Sequence, residues 1–393
     1  MPSYRVRTYN AIADRGLERF DRSRFEVGAE VADPQAILLR SHKLGVEEIS
    51  DSVLAIGRAG AGVNNIPLDA CTEKGVVVFN TPGANANSVK ELVLTSLLLA
   101  ARDVHGGIAY VNSLAGQTDE GELNRLVEAE KKRFKGRELA GKSLGVVGLG
   151  AIGSMVARAA LDLGMEVLGY DPAISVDAAW RLPAEVQRME NLPSLFSRAE
   201  FVTLHVPLLA ETTGMINTES LSAFRPGSVL LNFAREPIVD AGALREALES
   251  GQVGKYIADF PVPGLIGHPN VLLTPHLGAS TEEAEENCAV MAADQLINYL
   301  NTGSIVNSVN FPMVTLEASS GHRLCVVNRN VPGMLGQMTT LLADHDINVV
   351  DLLNKSRGDV AYNLIDLGDA PPASLLDAIR AVDDVVSVRV IGA

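Results

Sequence analysis

The sequence is poor in cysteine, short of basic residues relative to acidic ones, and without a long hydrophobic run. Three cysteines occur in 393 residues, and their spacings match neither a zinc pattern nor a disulfide framework, so we expect free thiols and no metal site. The 33 Lys and Arg residues against 48 Asp and Glu give a net charge of −15, which argues against a nucleic-acid surface. The longest apolar run, residues 92–101, is too short to span a bilayer. With no signal-peptide pattern at the N-terminus, we expect a cytoplasmic protein without a membrane partner.

The chain is too long for a single hydrophobic core, so two or three domains are expected. Apolar runs at residues 36–40, 53–56 and 76–79 alternate with helical stretches, a pattern that predicts a parallel sheet. The charged residues 128–137 look like an exposed connector. Further strand–helix units follow up to residue 275.

Near residue 310 the composition changes, and the remaining strands and helices follow a βαββαβ, ferredoxin-like order. The sequence therefore predicts an α/β protein with a separate C-terminal module.

A glycine-rich turn follows the strand predicted at residues 143–147. Gly148, Gly150 and Gly153 form a G-x-G-x-x-G pattern, and Asp171 ends the next strand 21 residues after Gly150. In this pattern the glycines allow a tight turn, close approach to a pyrophosphate, and close packing of helix on strand. The acid would accept hydrogen bonds from ribose hydroxyls and repel a 2′-phosphate. The spacing therefore predicts an NAD site.

Two polar side chains follow apolar strands in the same region. Arg235 comes just after residues 228–232, and His276 just after residues 271–274. In open α/β sheets, ligands lie beyond the carboxyl ends of the strands. Oxidising an alcohol to a ketone needs a proton acceptor, which suits His, and a cation to bind an α-carboxylate, which suits Arg. The pair predicts a catalytic site.

With these residues in place, the chain resembles the D-2-hydroxyacid dehydrogenases. Residues 148–153, 205–207, 232–235 and 275–278 are similar to the family's signature blocks. Residues 58–65 and 80–85 resemble loops of the branch that acts on 3-phosphoglycerate.

The resemblance implies a Rossmann-type nucleotide-binding domain, residues 101–281, inserted in a flavodoxin-like substrate domain, residues 1–100 with 282–312. It also implies NAD-dependent oxidation of 3-phospho-D-glycerate to 3-phosphohydroxypyruvate, the first step of L-serine biosynthesis.

The resemblance assigns roles to individual residues. Arg235 would hold the substrate carboxylate and His276 would be the acid/base, with Asp259 at the nicotinamide carboxamide. The residues expected to bind the cofactor all follow the ends of predicted strands. They are Gly148, Leu149, Gly150, Ala151, Ile152, Gly153, Asp171, His205, Val206, Pro207, Ala234, Asp259 and His276. The expected substrate set combines cations with a glycine loop and an amide: Arg40, Arg58, Ala59, Gly60, Ala61, Gly62, Asn85 and Lys90.

One stretch departs from the family pattern. The family usually has a Glu-Pro pair a few residues after the Asp, and this Glu holds the catalytic His. Here residues 259–267 contain no Glu. The sequence does not identify what replaces it.

Residues 313–393 resemble an ACT domain, a module that senses small molecules. Asn330 begins the turn into its first helix, and Asn348 ends the turn into its second strand. The resemblance implies that L-serine binds between two paired copies at Asn330 and Asn348, with Asn328 nearby, so self-association is expected. Asn amides suit a zwitterion because they both donate and accept hydrogen bonds.

Two alternative functions remain open from the sequence. One is another D-2-hydroxyacid dehydrogenase, such as a glyoxylate or hydroxypyruvate reductase, which would need no second anion site. The other is a non-catalytic, NAD-sensing protein of the corepressor type, which the missing Glu favours and the presence of Arg235 and His276 opposes.

Overall fold

The computed structural model describes residues 4–317 and 321–392. In this part the strands are β1 (Tyr4–Thr8), β2 (Phe25–Gly28), β3 (Ala36–Leu39), β4 (Ala55–Arg58), β5 (Val77–Phe79), β6 (Ser143–Val147), β7 (Glu166–Tyr170), β8 (Gln187–Arg188), β9 (Phe201–Leu204), β10 (Ser228–Asn232), β11 (Val253–Ala258), β12 (Val271–Leu273), β13 (His322–Arg329), β14 (Val349–Arg357), β15 (Val360–Leu367) and β16 (Val385–Ile391). The helices are α1 (Asp14–Leu17), α2 (Leu68–Glu73), α3 (Ala86–Ala101), α4 (Val104–Ser113), α5 (Glu120–Glu130), α6 (Ala151–Asp162), α7 (Val176–Ala179), α8 (Leu192–Arg198), α9 (Thr218–Ser222), α10 (Ala241–Glu249), α11 (Glu282–Thr302), α12 (Met334–Asp344) and α13 (Ala373–Arg380).

The described residues form two compact units, of which the first lies within residues 1–85 and 282–393. Its parallel sheet has the order β2-β1-β3-β4-β5, the flavodoxin order that the family resemblance implied. All four residues of β3 are buried, because helices and loops cover both faces of a parallel sheet. This burial explains why the strand is a continuous apolar run.

The same unit contains the C-terminal module. Its antiparallel sheet has the order β14-β15-β13-β16, and with α12 and α13 it gives the predicted βαββαβ order. One face packs on the two helices through residues such as Leu324 and Ile365. On the opposite face, Tyr362 and Leu364 belong to the same hydrophobic cluster as Tyr299 of α11.

Polar contacts also join the module to the end of α11. Arg389 donates to the carbonyls of Tyr299 and Leu300, at 2.9 and 3.3 Å. Arg323, only 2% exposed, donates to the Thr302 carbonyl at 2.8 Å. The last carbonyls of a helix have no partner within it, so these side chains satisfy them. The C-terminal module is therefore packed against α11 within the first unit.

The second unit is residues 86–281. Its parallel sheet has the order β12-β11-β10-β9-β6-β7-β8, the Rossmann arrangement that was predicted. The sequence predicted a boundary at residue 100, and the structure groups residues 86–100 with this unit. The reason is that α3 packs on α6, with Val93 and Leu97 in one hydrophobic cluster with Val156 and Ala160.

The expected connector at residues 128–137 is largely helical. Helix α5 continues to Glu130 and a 3-10 turn covers Lys131–Phe134. Asp119 caps α5 by accepting from the Glu122 amide at 2.7 Å. This cap and exposed Glu–Arg pairs stabilise the helix. In the sequence alone, the same run of charges indicates an exposed connector.

Within the described residues, no single helix is long and apolar enough to cross a membrane. Helices α3 and α4 meet that test only when taken together, and the chain bends by 69° between them.

Candidate active site

The glycine-rich turn joins β6 to α6. Gly148 has φ +90°, and a Cβ there would lie 2.7 Å from the carbonyl oxygen of His205. At Gly153 a Cβ would overlap the Gly148 carbonyl, whereas at Gly150, the N-cap of α6, it would meet nothing within 4 Å. The first and third glycines are thus needed for packing, and the second leaves open space at the helix N-terminus, where a pyrophosphate binds.

Asp171 follows β7 directly and lies against this turn. Its Oδ2 accepts a hydrogen bond from the Leu149 amide at 2.8 Å, and its Oδ1 accepts one from the Ala173 amide at 2.9 Å. The carboxylate is thereby fixed beside the glycines. The residues present therefore fit a dinucleotide whose ribose hydroxyls meet Asp171.

His205 stands at the end of β9, followed by Val206 and Pro207. Its Nε2 lies 3.0 Å from the Thr203 hydroxyl oxygen, and its Nδ1 is buried without a hydrogen-bond partner among the described residues. Burial lowers the pKa of His205 to about 3, because desolvation disfavours the charged form. The imidazole is therefore neutral at physiological pH.

Arg235 is placed by a turn that begins at the end of β10. The buried Asn232 side chain donates to the Arg235 carbonyl at 2.9 Å and accepts from the Ala234 amide at 3.1 Å. The Arg235 Nη1 donates to the Ala234 carbonyl at 2.7 Å. Asn232 was not predicted as a site residue. The sequence feature that could have identified it is a polar amide at the end of a largely apolar strand.

His276 follows β12 and is exposed. Its backbone has φ +61°, an uncommon left-handed conformation for a residue with a side chain. Asp259, after the neighbouring strand β11, is 3% exposed and accepts hydrogen bonds from the amides of Leu277 and Gly278. The structure thus brings Asp259 to the loop that carries His276.

In the first unit, two predicted substrate cations lie together. Arg58 Nε donates to the Arg40 carbonyl at 3.1 Å, and Arg40 Nη2 forms an ion pair with Glu285 at 2.6 Å. Gly60 follows with φ +149°, and a Cβ there would collide with the Arg58 guanidinium. The Ala61 carbonyl accepts from Asn80 at 2.7 Å. Gly60 of the loop 59–62 thus lies against the Arg58 side chain.

Asn85 and Lys90 occupy different units. Asn85 is the last residue of the first unit's N-terminal part, whereas Lys90 lies in α3 of the second unit. Lys90 Nζ donates to Asn87 Oδ1 at 2.6 Å and lines a cavity of about 470 Å³ with Leu149 and Gly150. Lys90 thus lies beside the glycine-rich turn of its own unit, and its role in binding the substrate stays a prediction.

The expected effector residues are spread over the C-terminal sheet. Asn330 follows β13 and its Nδ2 donates to the Gly358 carbonyl at 3.1 Å. Asn348 precedes β14, and its carbonyl accepts from the Gly368 amide at 2.9 Å. Gly358 and Gly368 flank the two ends of β15, whose eight residues span on the order of 25 Å. One chain therefore does not bring Asn330 and Asn348 together.

Asn328 belongs to a row of amides that crosses three strands. Its Oδ1 accepts from Asn363 at 2.7 Å, and Asn363 Oδ1 accepts from Asn354 at 2.7 Å. Asn328 and Asn363 are buried. The row rigidifies the sheet next to Asn330. Asn354 and Asn363 were not predicted, because nothing local marks two strand amides as partners.

Comparisons with known proteins give a consistent picture. Residues 97–278 match the family model described as D-isomer specific 2-hydroxyacid dehydrogenase, NAD binding domain. A protein of Schizosaccharomyces pombe named putative D-3-phosphoglycerate dehydrogenase is 36% identical, over 84% of this chain and 72% of its own. The Escherichia coli K12 D-3-phosphoglycerate dehydrogenase is 34% identical, over 92% of this chain and 88% of its own.

Solved structures agree at the level of fold and cofactor. The NAD⁺-bound 3-phosphoglycerate dehydrogenase of Entamoeba histolytica is 26% identical with a TM-score of 0.61, covering 79% of this chain and 100% of its own. The D-mandelate dehydrogenase of Rhodotorula graminis is 26% identical with a TM-score of 0.67, covering 80% and 99%.

Proposed function

The chain belongs to the D-isomer specific 2-hydroxyacid dehydrogenases, a family of NAD-dependent oxidoreductases, and we propose that its substrate is 3-phospho-D-glycerate, oxidised to 3-phosphohydroxypyruvate as the first step of L-serine biosynthesis. The observation that carries this choice is that Arg40 and Arg58 are neighbours in the unit that the family uses to bind its substrate. The Arg58 Nε donates a hydrogen bond to the Arg40 carbonyl at 3.1 Å. A 2-hydroxyacid without a phosphate needs no guanidinium group besides that of Arg235, which binds its carboxylate.

In the proposed reaction, Arg235, His276 and the residues around the glycine-rich turn have separate roles. Arg235 binds the carboxylate through its planar fork, and His276 accepts the proton of the C2 hydroxyl. Bound NAD supplies the acceptor for the hydride that leaves C2. Asp171 and the turn 148–153 hold the cofactor. One proton and one hydride leave the substrate, so C2 becomes a ketone.

A comparison of substrates tests the proposal. D-glycerate is the matched control for 3-phospho-D-glycerate, because it differs only by the phosphate. We expect kcat/KM to favour the phosphorylated acid by about a hundredfold or more, since a charge-assisted hydrogen bond contributes about 1.5–3 kcal/mol. Equal values would overturn the substrate, and preference for glyoxylate with NADH would establish the reductase alternative.

We further propose that L-serine regulates the enzyme through the C-terminal module. Asn330 and Asn348 lie at opposite ends of β15, so a small amino acid can contact both only when two copies are paired. Serine binding and pairing of the module are then one event. Calorimetry on the full chain tests this, and no heat of serine binding at millimolar concentration would overturn it.

A second contact between copies is proposed at α4. Val104, Ile108 and Val111 are 48%, 56% and 55% exposed and share one helix face. With Tyr110 and Phe134 they line a cavity of about 570 Å³. We expect Ile108→Asp to dissociate the oligomer in sedimentation experiments. Val176→Asp, at an exposed valine of α7, is the control, and equal behaviour of the two variants would contradict the assignment.

A further inference from the structure

The His276 imidazole makes no hydrogen bond or ion pair with any residue in 4–317 or 321–392. Nevertheless its loop is firmly held. Two consecutive residues after β11 contact this loop. Asp259 accepts hydrogen bonds from it, and the ring of Phe260 packs against the His276 ring. Resting on the function proposed above, we propose that Asp259 and Phe260 are positioning residues that orient the His276 side chain for proton transfer.

The carboxylate of Asp259 acts on the backbone. Its Oδ1 accepts from the Leu277 amide at 2.7 Å and from the Thr274 hydroxyl at 2.6 Å. Its Oδ2 accepts from the Gly278 amide at 2.6 Å. These three donors flank His276 on both sides along the chain. Short bonds to a buried carboxylate are strong, and they fix the turn in which His276 keeps φ +61°.

Position 278 shows how closely the loop approaches Asp259. A Cβ on Gly278 would lie 3.0 Å from Asp259 Oδ2, tighter than an ordinary contact. On the other side, the buried Ser88 hydroxyl donates to the Gly278 carbonyl at 2.8 Å. The loop is therefore held through both its amide and its carbonyl, and a side chain at position 278 would push against the Asp259 carboxylate.

Phe260 acts on the ring itself. Its centroid lies 5.0 Å from that of His276, with the planes at 67° in an edge arrangement. Phe260 is 8% exposed, so packing keeps it in place. An aromatic neighbour at this distance restricts rotation of the imidazole. Together the two residues hold the imidazole without a carboxylate on its nitrogen.

The test uses the full chain and two variants, Asp259→Asn and Phe260→Leu. An Asn side chain cannot accept from both amides, because its NH2 group meets one of them donor to donor. Phe224→Leu is the matched control, since Phe224 stacks on Phe196 at 4.4 Å elsewhere in the same unit. Circular dichroism and a cooperative thermal unfolding transition confirm that each variant is folded. If Asp259→Asn does not fold, Thr274→Val removes one donor to the same carboxylate.

The first measurement is independent of turnover. In a chain with 13C-labelled histidine, the His276 signal is identified by its loss in His276→Asn. We expect Phe260→Leu to remove a ring-current shift from this signal and Asp259→Asn to broaden it, whereas Phe224→Leu leaves it unchanged. An unchanged His276 signal in both variants would overturn the proposal, whether or not the enzyme accepts 3-phospho-D-glycerate.

The second measurement separates positioning from cofactor binding. We expect kcat to fall by on the order of tenfold to a hundredfold in Asp259→Asn, as for a misplaced catalytic group, and to change by a larger factor than KM for NAD does. A raised KM for NAD with kcat and the His276 signal intact would show that Asp259 serves the cofactor alone. If the wild-type chain oxidises no 2-hydroxyacid, the proposed function fails, and the signal measurement still decides the role of the two residues.

Discussion

Glu285, on the first turn of α11, holds Arg40 in an ion pair of 2.6 Å, and both side chains are more than a third exposed. Arg40 in turn accepts, through its carbonyl, the Nε hydrogen bond of Arg58. The cations expected to bind a phosphate are therefore ordered by contacts within their own unit. Exposed ion pairs of this kind contribute only about 0–1 kcal/mol, so the guanidinium can exchange Glu285 for a more highly charged anion.

This pairing leads to a prediction about substrate affinity. We expect Arg40→Met to raise KM for 3-phospho-D-glycerate by about tenfold with little change in kcat, since uniform binding is lost. Glu285→Gln should lower that KM by about twofold to fivefold, because a charge that repels the phosphate is removed. Steady-state kinetics decide this. Neither variant should alter kinetics with D-glycerate, and equal effects on both acids would contradict the assignment.

The catalytic pair gives the second prediction. His276→Ala should lower kcat by about a hundredfold or more, as expected for loss of a positioned acid/base. Arg235→Lys should be severely impaired, because an ammonium cannot form the bidentate fork. Single-turnover kinetics with NAD measure the step directly. Glu236→Gln, at the residue next to Arg235, is the control, and a comparable loss there would identify Glu236 as the carboxylate partner of His276.

Cofactor choice gives the third prediction. Asp171 holds the Leu149 amide at 2.8 Å and places a negative charge where a 2′-phosphate would lie. We expect Asp171→Asn to narrow the preference for NAD over NADP by about tenfold or more, since a repulsive charge and ribose hydrogen bonds are lost together. The ratio of the two kcat/KM values measures this. Asp162→Asn, at an exposed acid of α6, should leave the ratio unchanged.

The fourth prediction concerns serine. Asn330→Ala should weaken serine binding by roughly 1–2 kcal/mol, the usual effect of removing one partner from a charged ligand group. Calorimetry on the full chain gives the affinity, and bound substrate should weaken it reciprocally. Asn124→Ala, on the exposed face of α5, is the control. Deleting the module is a poor test, because Tyr362 and Leu364 belong to the core around α11.

The fifth prediction is a pH dependence of stability. Burial lowers the pKa of His205 to about 3 from the ordinary value of 6.5, so between these values the unfolded chain binds more protons than the folded one. The free energy of unfolding therefore falls as the pH drops below about 6.5, by up to about 1.4 kcal/mol per pH unit from this group.

Calorimetry between pH 7 and about 5 tests this dependence. We expect Tm to fall less steeply in His205→Gln than in the wild type, because the variant lacks the group. His105→Gln, at an exposed histidine of α4, should keep the wild-type slope. Identical slopes in all three proteins would show that His205 does not titrate as its burial requires.

Much of the fold could be predicted from local patterns. Strands β6 and β10 were predicted to the residue, because each is a buried apolar run bounded by turn residues. The strands β1 and β2 were missed. Tyr4–Thr8 alternates charged with apolar residues and has one fully buried side chain. So short a pattern does not predict a strand, and the segment becomes one because it pairs with β3.

The sequence by itself determined the residues whose role depends on near neighbours. The glycine-rich turn and Asp171 are close along the chain, and Arg235 and His276 each follow an apolar strand, so spacing alone placed them at strand ends. Their geometry depends on the backbone of one or two turns, which local residues specify.

Only the tertiary structure decided which distant residues hold these groups. Asp259 and Leu277 are 18 residues apart, and they meet because β11 and β12 pair in parallel register. The antiparallel pairing of β13 and β14 with β15 sets Asn330 and Asn348 at opposite ends of β15, and packing against α6 assigns α3 to the nucleotide unit. These outcomes depend on strand register and on which faces bury together, and neither is encoded in the spacing of a short segment.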